Sequence, residues 1–221
     1  MTVKTLKQSM LGAVILLTLN GAALADAHHH SDLMTSIAEL QKGWAEVNYQ
    51  SQGDEQISGF AELVAAADAV VAANADAAPA YIWRGIIEST YAGAKGGLGA
   101  LKLAKAAKAD LEKALEIEPD AMNGSAYTSL GTLYFNVPGW PIGFGSDKKA
   151  EKLLLQALTL NPDGIDSNYF YANFLQSKGR DSEAKTFYLK AQNAAPRADR
   201  PLADAGRQKE IAEALATLKA E

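Results

Sequence analysis

Cysteine is absent from the 221 residues, which excludes disulfides, thiolate zinc sites, thiol catalysis and a lipid-modified amino terminus. Histidine is almost absent too. His28, His29 and His30 are the whole complement and adjoin one another, so no pair has the spacing that sets two imidazoles on one helix face for zinc. That scarcity also removes the usual base for an activated serine. Ser146-Asp147-Lys148-Lys149 matches S-x-x-K, but Ser146 reads more simply as the cap of a helix that begins at Asp147. Aromatic residues make up 8 % of the chain, strand-like alternation is nearly missing, and alanine is abundant. An all-α fold follows.

The first nine residues carry Lys4 and Lys7 and no acid, and they lead into an apolar run from Met10 to Leu19. That run is too short for the roughly 20 residues a membrane-spanning helix requires. Small residues follow, Gly21-Ala22-Ala23-Leu24-Ala25. The pattern is that of an export signal cleaved after Ala25, with Ala27 as the secondary position. Cleavage after Ala25 removes two lysines and no acid, so the formal charge of −5 becomes −7. A partner held through its phosphates, a nucleic acid above all, does not suit such a surface. No membrane span is expected once the signal is removed.

One pattern organises the rest. Ala107, Leu111, Ala114, Pro119 recurs as Ala150, Leu154, Ala157, Pro162 and as Ala184, Tyr188, Ala191, Pro196, with a weaker copy at Ala67, Val71, Asn74, Pro79. Offsets of four and three hold the first three residues on one helix face, where two alanines beside a larger residue let another helix come close. The proline, lacking an amide hydrogen, ends the helix. Upstream of the second copy, Tyr127 to Tyr134 forms an amphipathic helix whose Gly131 allows a tight helix contact.

The Tyr127–Tyr134 segment resembles the first helix of a tetratricopeptide repeat, and the Ala/Leu/Ala/Pro pattern resembles the second. The resemblance is firm from Ala80 to Arg197 and looser from Ser31 to Pro79. It implies an all-α, right-handed superhelical solenoid of antiparallel hairpins. Helices are expected at 32–50, 55–75, 80–93, 101–117, 123–136, 147–160, 165–178, 182–194 and 203–219. The organisation is then a signal at 1–25, a flexible His-containing leader at 26–31, four hairpins over 32–198 and a capping helix within 199–221. The best-matching hairpins are 80–119, 123–162 and 165–198. Proline spacings of 40, 43 and 34 place inter-helix insertions near Ala92–Leu101 and Phe135–Asp147.

The glycine-rich stretch Gly93–Gly99 lacks the G-K-[ST] ending of a phosphate cradle and follows a helix, so it reads as a flexible insertion. Lys102, Lys105, Lys108 and Lys113, interleaved with Asp110, Glu112 and Glu116, read as a solvated face. The second insertion carries Trp140 and Phe144 among prolines and glycines. They form either a plug over the neighbouring hairpin or a contact for a ligand or partner.

In tetratricopeptide repeats, ligands lie in the concave groove lined by the first helix of each pair. The resemblance carries that role to Thr128, Thr132, Asn136, Tyr169, Asn173 and Gln176. The set is polar and uncharged, and it lacks the paired Lys and Asn with which some members clamp a terminal carboxylate. It implies a non-catalytic periplasmic scaffold for a protein or peptide partner in the envelope. The alternative is a small-molecule-binding accessory subunit of an uptake system, by weaker similarity to the tetratricopeptide component associated with tripartite ATP-independent periplasmic transporters. A cavity through the stack favours that alternative, and a groove open along its length favours the scaffold.

A chain beginning at Asp26 presents an amine, two amide nitrogens and the His28 imidazole in succession. Asp26, Ala27 and His28 then suit square-planar Cu(II) or Ni(II). No other cofactor is expected. The mature protein is predicted to begin at Asp26, and intact mass of periplasmic material checks it; a mass that retains Lys4 and Lys7 contradicts export.

Overall fold

A computed structural model describes residues 13–220. Among the described residues there are nine α-helices and no strand. They are α1 (Ala13–Gln50), α2 (Gly53–Ala73), α3 (Ala78–Lys95), α4 (Gly97–Ile117), α5 (Ala121–Asn136), α6 (Asp147–Leu160), α7 (Ile165–Ser177), α8 (Asp181–Gln192) and α9 (Pro201–Ala220). The first eight pair as hairpins, α1 with α2 through α7 with α8. Within the stack α1, α3, α5 and α7 touch one another in turn and form the inner layer. The second helix of each pair lies outside.

All nine residues of the three Ala/Leu/Ala and Ala/Tyr/Ala triplets are completely buried. Ala67, Val71 and Asn74 of the weaker copy are buried as well. The small residues work in pairs across each hairpin. A Cβ added at Gly85 would lie 2.8 Å from Leu111 Cγ and 3.2 Å from the Ala107 carbonyl oxygen. At Gly131 the same distances are 2.8 Å to Leu154 Cγ and 3.3 Å to the Ala150 carbonyl oxygen. The hairpins α3/α4 and α5/α6 are thus two copies of one contact. In α7/α8 Ala172 takes the glycine's place and the larger Tyr188 takes the leucine's, both fully buried.

Arginines on the edges tie neighbouring helices together. Arg84 on α3 donates to both carboxylate oxygens of Asp110 on α4, at 2.6 and 2.7 Å, and to Asp68 on α2 at 2.9 Å. Asp110 is therefore a buried partner and no member of the solvated face expected for it, whereas Lys108 with Glu112 and Lys113 with Glu116 do pair at the surface. Arg180 does for the last hairpins what Arg84 does for the earlier ones, bridging Glu151 of α6 and Glu183 of α8.

Several expectations are corrected. The stretch Gly93–Gly99 is no loop: α3 runs to Lys95 and α4 starts at Gly97. Gly96 and Gly97 take positive φ of 61° and 60°, which glycine adopts without strain, so the extra residues lengthen two helices around a tight corner. Pro79 ends no helix and sits in the first turn of α3, where its missing amide costs nothing. Residues 28–31, expected in a flexible leader, belong to α1, because no glycine or proline interrupts the chain from Asp26 to the buried Leu33. Residues 1–12 of the expected signal lie outside the described residues.

The expected capping helix is α9, and it does more than cover the free end of the stack. It packs on α8 and α7 and also reaches α1, so it bridges the first and last hairpins across the inner face. Ala203, Ile211 and Leu215 are buried under it, with about 1.5–3 kcal/mol for each of the two large side chains. Gly206 permits the approach: a Cβ there would lie 2.4 Å from the Tyr49 ring of α1.

Among the described residues α2 is the one helix long and apolar enough to cross a bilayer by length and composition. Its Phe60, Ala67 and Val71 are buried within the protein, and it packs on α1 and α3. Gly131→Leu is predicted to lower stability by about 1–3 kcal/mol, since the added carbons meet Leu154 and backbone. Thermal melting checks it, and an unchanged midpoint contradicts the repeat contact.

Candidate functional site

The inner layer encloses two adjoining clefts of about 520 and 710 Å³. They share Trp44, Ser89, Thr90, Thr132, Phe170 and Arg207 as common wall. The smaller cleft continues past Trp83, Ser125 and Thr128 to Asp166, Arg197 and Arg200. The larger opens toward Asn136, Pro138, Ile142, Tyr169 and Glu210. Trp44 is fixed by its indole N–H, which donates to the Thr90 hydroxyl at 3.0 Å. Thr90 in turn donates to the Ile86 carbonyl at 2.9 Å. At the entry to the smaller cleft Met122 and Asn123 hold left-handed φ of 50° and 55°, followed by Gly124 at 76°. Right-handed helix therefore begins only at Ser125, and non-glycine residues in this region store strain of the order of 1–3 kcal/mol each.

Charge is concentrated where α9 crosses. Arg207 lies 4.3 Å over the Tyr169 ring and 4.5 Å over the Phe170 ring. It donates to Asp166 at 2.9 Å and also pairs with Glu210. Arg197 donates to the other oxygen of Asp166 at 2.8 Å, and its guanidinium reaches Asp204 at 2.5 Å. Burial alone would raise the Asp166 carboxyl, but Arg207 and Arg197 outweigh it and hold the group at about 2. Arg200 differs from both. Its guanidinium lies 5.1 Å over Trp83, it makes no ion pair among the described residues, and its buried Nε has no acceptor.

Of the six groove positions expected from sequence, Thr128, Thr132, Asn136 and Tyr169 line the clefts. Asn173 and Gln176 do not. Their amide oxygens lie 2.5 and 2.7 Å from the Tyr188 hydroxyl, which donates to them. The two insertion aromatics part company. Phe144 packs edge-on against Tyr134 at 5.5 Å between rings, while Trp140 stands 90 % exposed. Ser146 accepts from the Lys149 amide at 3.4 Å, the cap on α6 that the sequence suggested. His28, His29 and His30 are exposed on α1, and the Asp26 and Ala27 side chains lie outside the described residues.

Sequence reasoning missed Trp44, Trp83, Thr90, Asp166, Arg197, Arg200 and Arg207. The run Arg197-Ala198-Asp199-Arg200-Pro201 looks like a polar connector between helices. Its arginines face inward because α9 turns across the groove.

A family model described as a tetratricopeptide repeat matches residues 98–121 and 165–197. Those two segments are similar to tetratricopeptide repeats. A thermophilic tetratricopeptide-repeat protein of Thermus thermophilus shares the fold, with a TM-score of 0.54 and 20 % identity over 90 % of this chain and 97 % of that one. MamA superposes with a TM-score of 0.44 and 19 % identity over 78 % of this chain and 95 % of its own. YrrB, described as a TPR protein with an unusual peptide-binding site, gives 0.42 and 18 % over 75 % and 80 %. No curated protein matches the sequence. The matched segments cover α4 and the α7/α8 hairpin, and α9 lies beyond both repeats.

Asp166→Asn is predicted to destabilise the protein by about 3 kcal/mol near neutrality, because it leaves buried Arg207 with one carboxylate fewer. Asp166 has a folded value of about 2 against an ordinary 3.8, so its contribution is complete above pH 4 and is lost as pH falls from 4 through 2. Melting curves across that range check it: the wild type loses more stability than the variant, and parallel curves contradict the assignment.

Proposed function

We propose that this chain is a tetratricopeptide-repeat scaffold of the bacterial periplasm that performs no chemistry and holds a short segment of a protein partner in its inner clefts. The placement of α9 carries this reading. An extended peptide running the length of the groove would collide with Arg207 and the helix that bears it. A short segment entering one cleft meets hydroxyls, amides and aromatic faces suited to orienting a polar chain. The periplasmic setting rests on the Lys4/Lys7, Met10–Leu19 and Ala23–Ala25 pattern. No cluster of histidines and carboxylates able to hold a metal occurs among the described residues. Cu(II) or Ni(II) at Asp26, Ala27 and His28 is a separate proposal that requires cleavage after Ala25.

A second reading has one observation in its favour. Clefts of about 520 and 710 Å³ fall in the range of small-molecule sites, roughly 300–1,000 Å³. A small-molecule-binding accessory subunit of an uptake system is the function that fits it.

Thr132→Trp separates these readings from a purely structural role, since Thr132 stands on the wall common to both clefts and is only half-buried. Mature protein immobilised against periplasmic extract is expected to retain a partner that the variant loses. A small molecule carried through native mass spectrometry, with no protein retained, supports the second reading. Equal retention by wild type and variant contradicts both.

A further inference from the structure

We propose that Arg200 on Trp83 is the receptor of a singly charged carboxylate, which binds in the smaller cleft. The inference deepens the reading of the inner clefts as a binding site and rests on it. Arg200 is the one arginine of the cleft without a carboxylate. Arg197 and Arg207 share Asp166 and add Asp204 and Glu210, so each is already paired with two carboxylates. Among the described residues Arg200 makes no ion pair and no side-chain hydrogen bond, although its Nε is buried and the residue as a whole is only partly exposed. A buried charged donor without an acceptor is unfavourable by itself. The cost is recovered when a ligand supplies the acceptor.

The surroundings choose the ligand. The plane of a guanidinium offers two parallel N–H groups, which match the two oxygens of a carboxylate. Trp83 beneath it provides an apolar face and excludes water from one side. The charge count limits the anion. Arg197, Arg200 and Arg207 face Asp166, Asp204 and Glu210, with Asp199 beside them. The cluster therefore offers one uncommitted guanidinium within a field that is not positive overall, and a dianion would meet the four neighbouring carboxylates. Burial and the nearby Arg197 already disfavour charge on Arg200, and a bound monoanion relieves both effects. Ser125, Thr128 and Ser129, which line the same cleft, can bond polar atoms further along the molecule.

A carboxylate of this kind has two sources, a small organic acid or the carboxyl terminus of a chain segment. Calorimetry and tryptophan fluorescence of the mature protein test the site with benzoate and its neutral amide benzamide, with succinate as dianion, and with trialanine as free acid and as carboxy-terminal amide. Benzoate or the free tripeptide acid is expected to bind and to change the emission of Trp83, while both amides and succinate bind at least about tenfold more weakly. Tighter binding of the tripeptide acid assigns the source to a chain terminus, and tighter binding of benzoate assigns it to a small acid. Arg200→Gln is expected to weaken the acid at least about tenfold with no loss of melting temperature, since it breaks no ion pair. Arg200→Lys keeps the charge but loses the fork, and is expected to fall between them. The inference is overturned if acids and amides bind alike or not at all, or if Arg200→Gln binds as the wild type does. It is equally overturned if Arg200→Gln and Arg200→Lys both melt lower, because the arginine is then a structural member. Should both wild type and Arg200→Gln retain the same partner from extract, the carboxylate site fails while the scaffold stands.

Discussion

Arg207 is a cation almost wholly withdrawn from water, and such a group is tolerated only where several partners replace its hydration. Asp166 of α7, Glu210 on its own helix and the faces of Tyr169 and Phe170 supply them. This one side chain therefore sits on α9, is paired from α7 and lies on the wall of both clefts. Arg197 takes the second oxygen of Asp166 and so sets the path of the connector between α8 and α9. Through Gly206 and Tyr49 the same helix meets α1. Buried Ile211 and Leu215 on the same helix add apolar contacts to this pairing.

The hairpins themselves depend on a plainer rule. Each needs a small residue on one helix facing a fully buried larger one on the other, as Gly85 faces Leu111 and Gly131 faces Leu154. Dispersion and burial do this work locally, because a repeat array is a sum of neighbouring contacts. A closing helix is different in kind. It joins α1 to the last hairpin, which lies more than a hundred residues away in the chain, and adds a wall to both clefts.

This difference explains what was legible in the sequence. Periodic offsets of four and three report which face of a helix is buried, so the nine triplet positions and all nine helices could be read directly. Thr128, Thr132, Asn136 and Tyr169 followed from the repeat register and do line the clefts. The same register carried Asn173 and Gln176 toward the groove, but the replacement of leucine by Tyr188 placed a buried hydroxyl there, which takes both amides. Arg200 and Arg207 were illegible because no periodicity states where a terminal helix will dock. Gly93–Gly99 misled for a related reason: glycines signal a change of direction, and the two residues at positive φ are enough to make it.

The closed architecture requires α9 to be part of the cooperative structure and not a loosely attached end. Native-state hydrogen exchange measures this directly. Amides of α9 around Arg207 and Ile211 are predicted to exchange with the same opening free energy as those of α7 and of α1 around Trp44, and Arg207→Gln is predicted to release α9 while α4 and α6 remain protected. Rapid exchange throughout α9 in the wild-type protein, with α1 and α7 fully protected, would contradict the closed architecture.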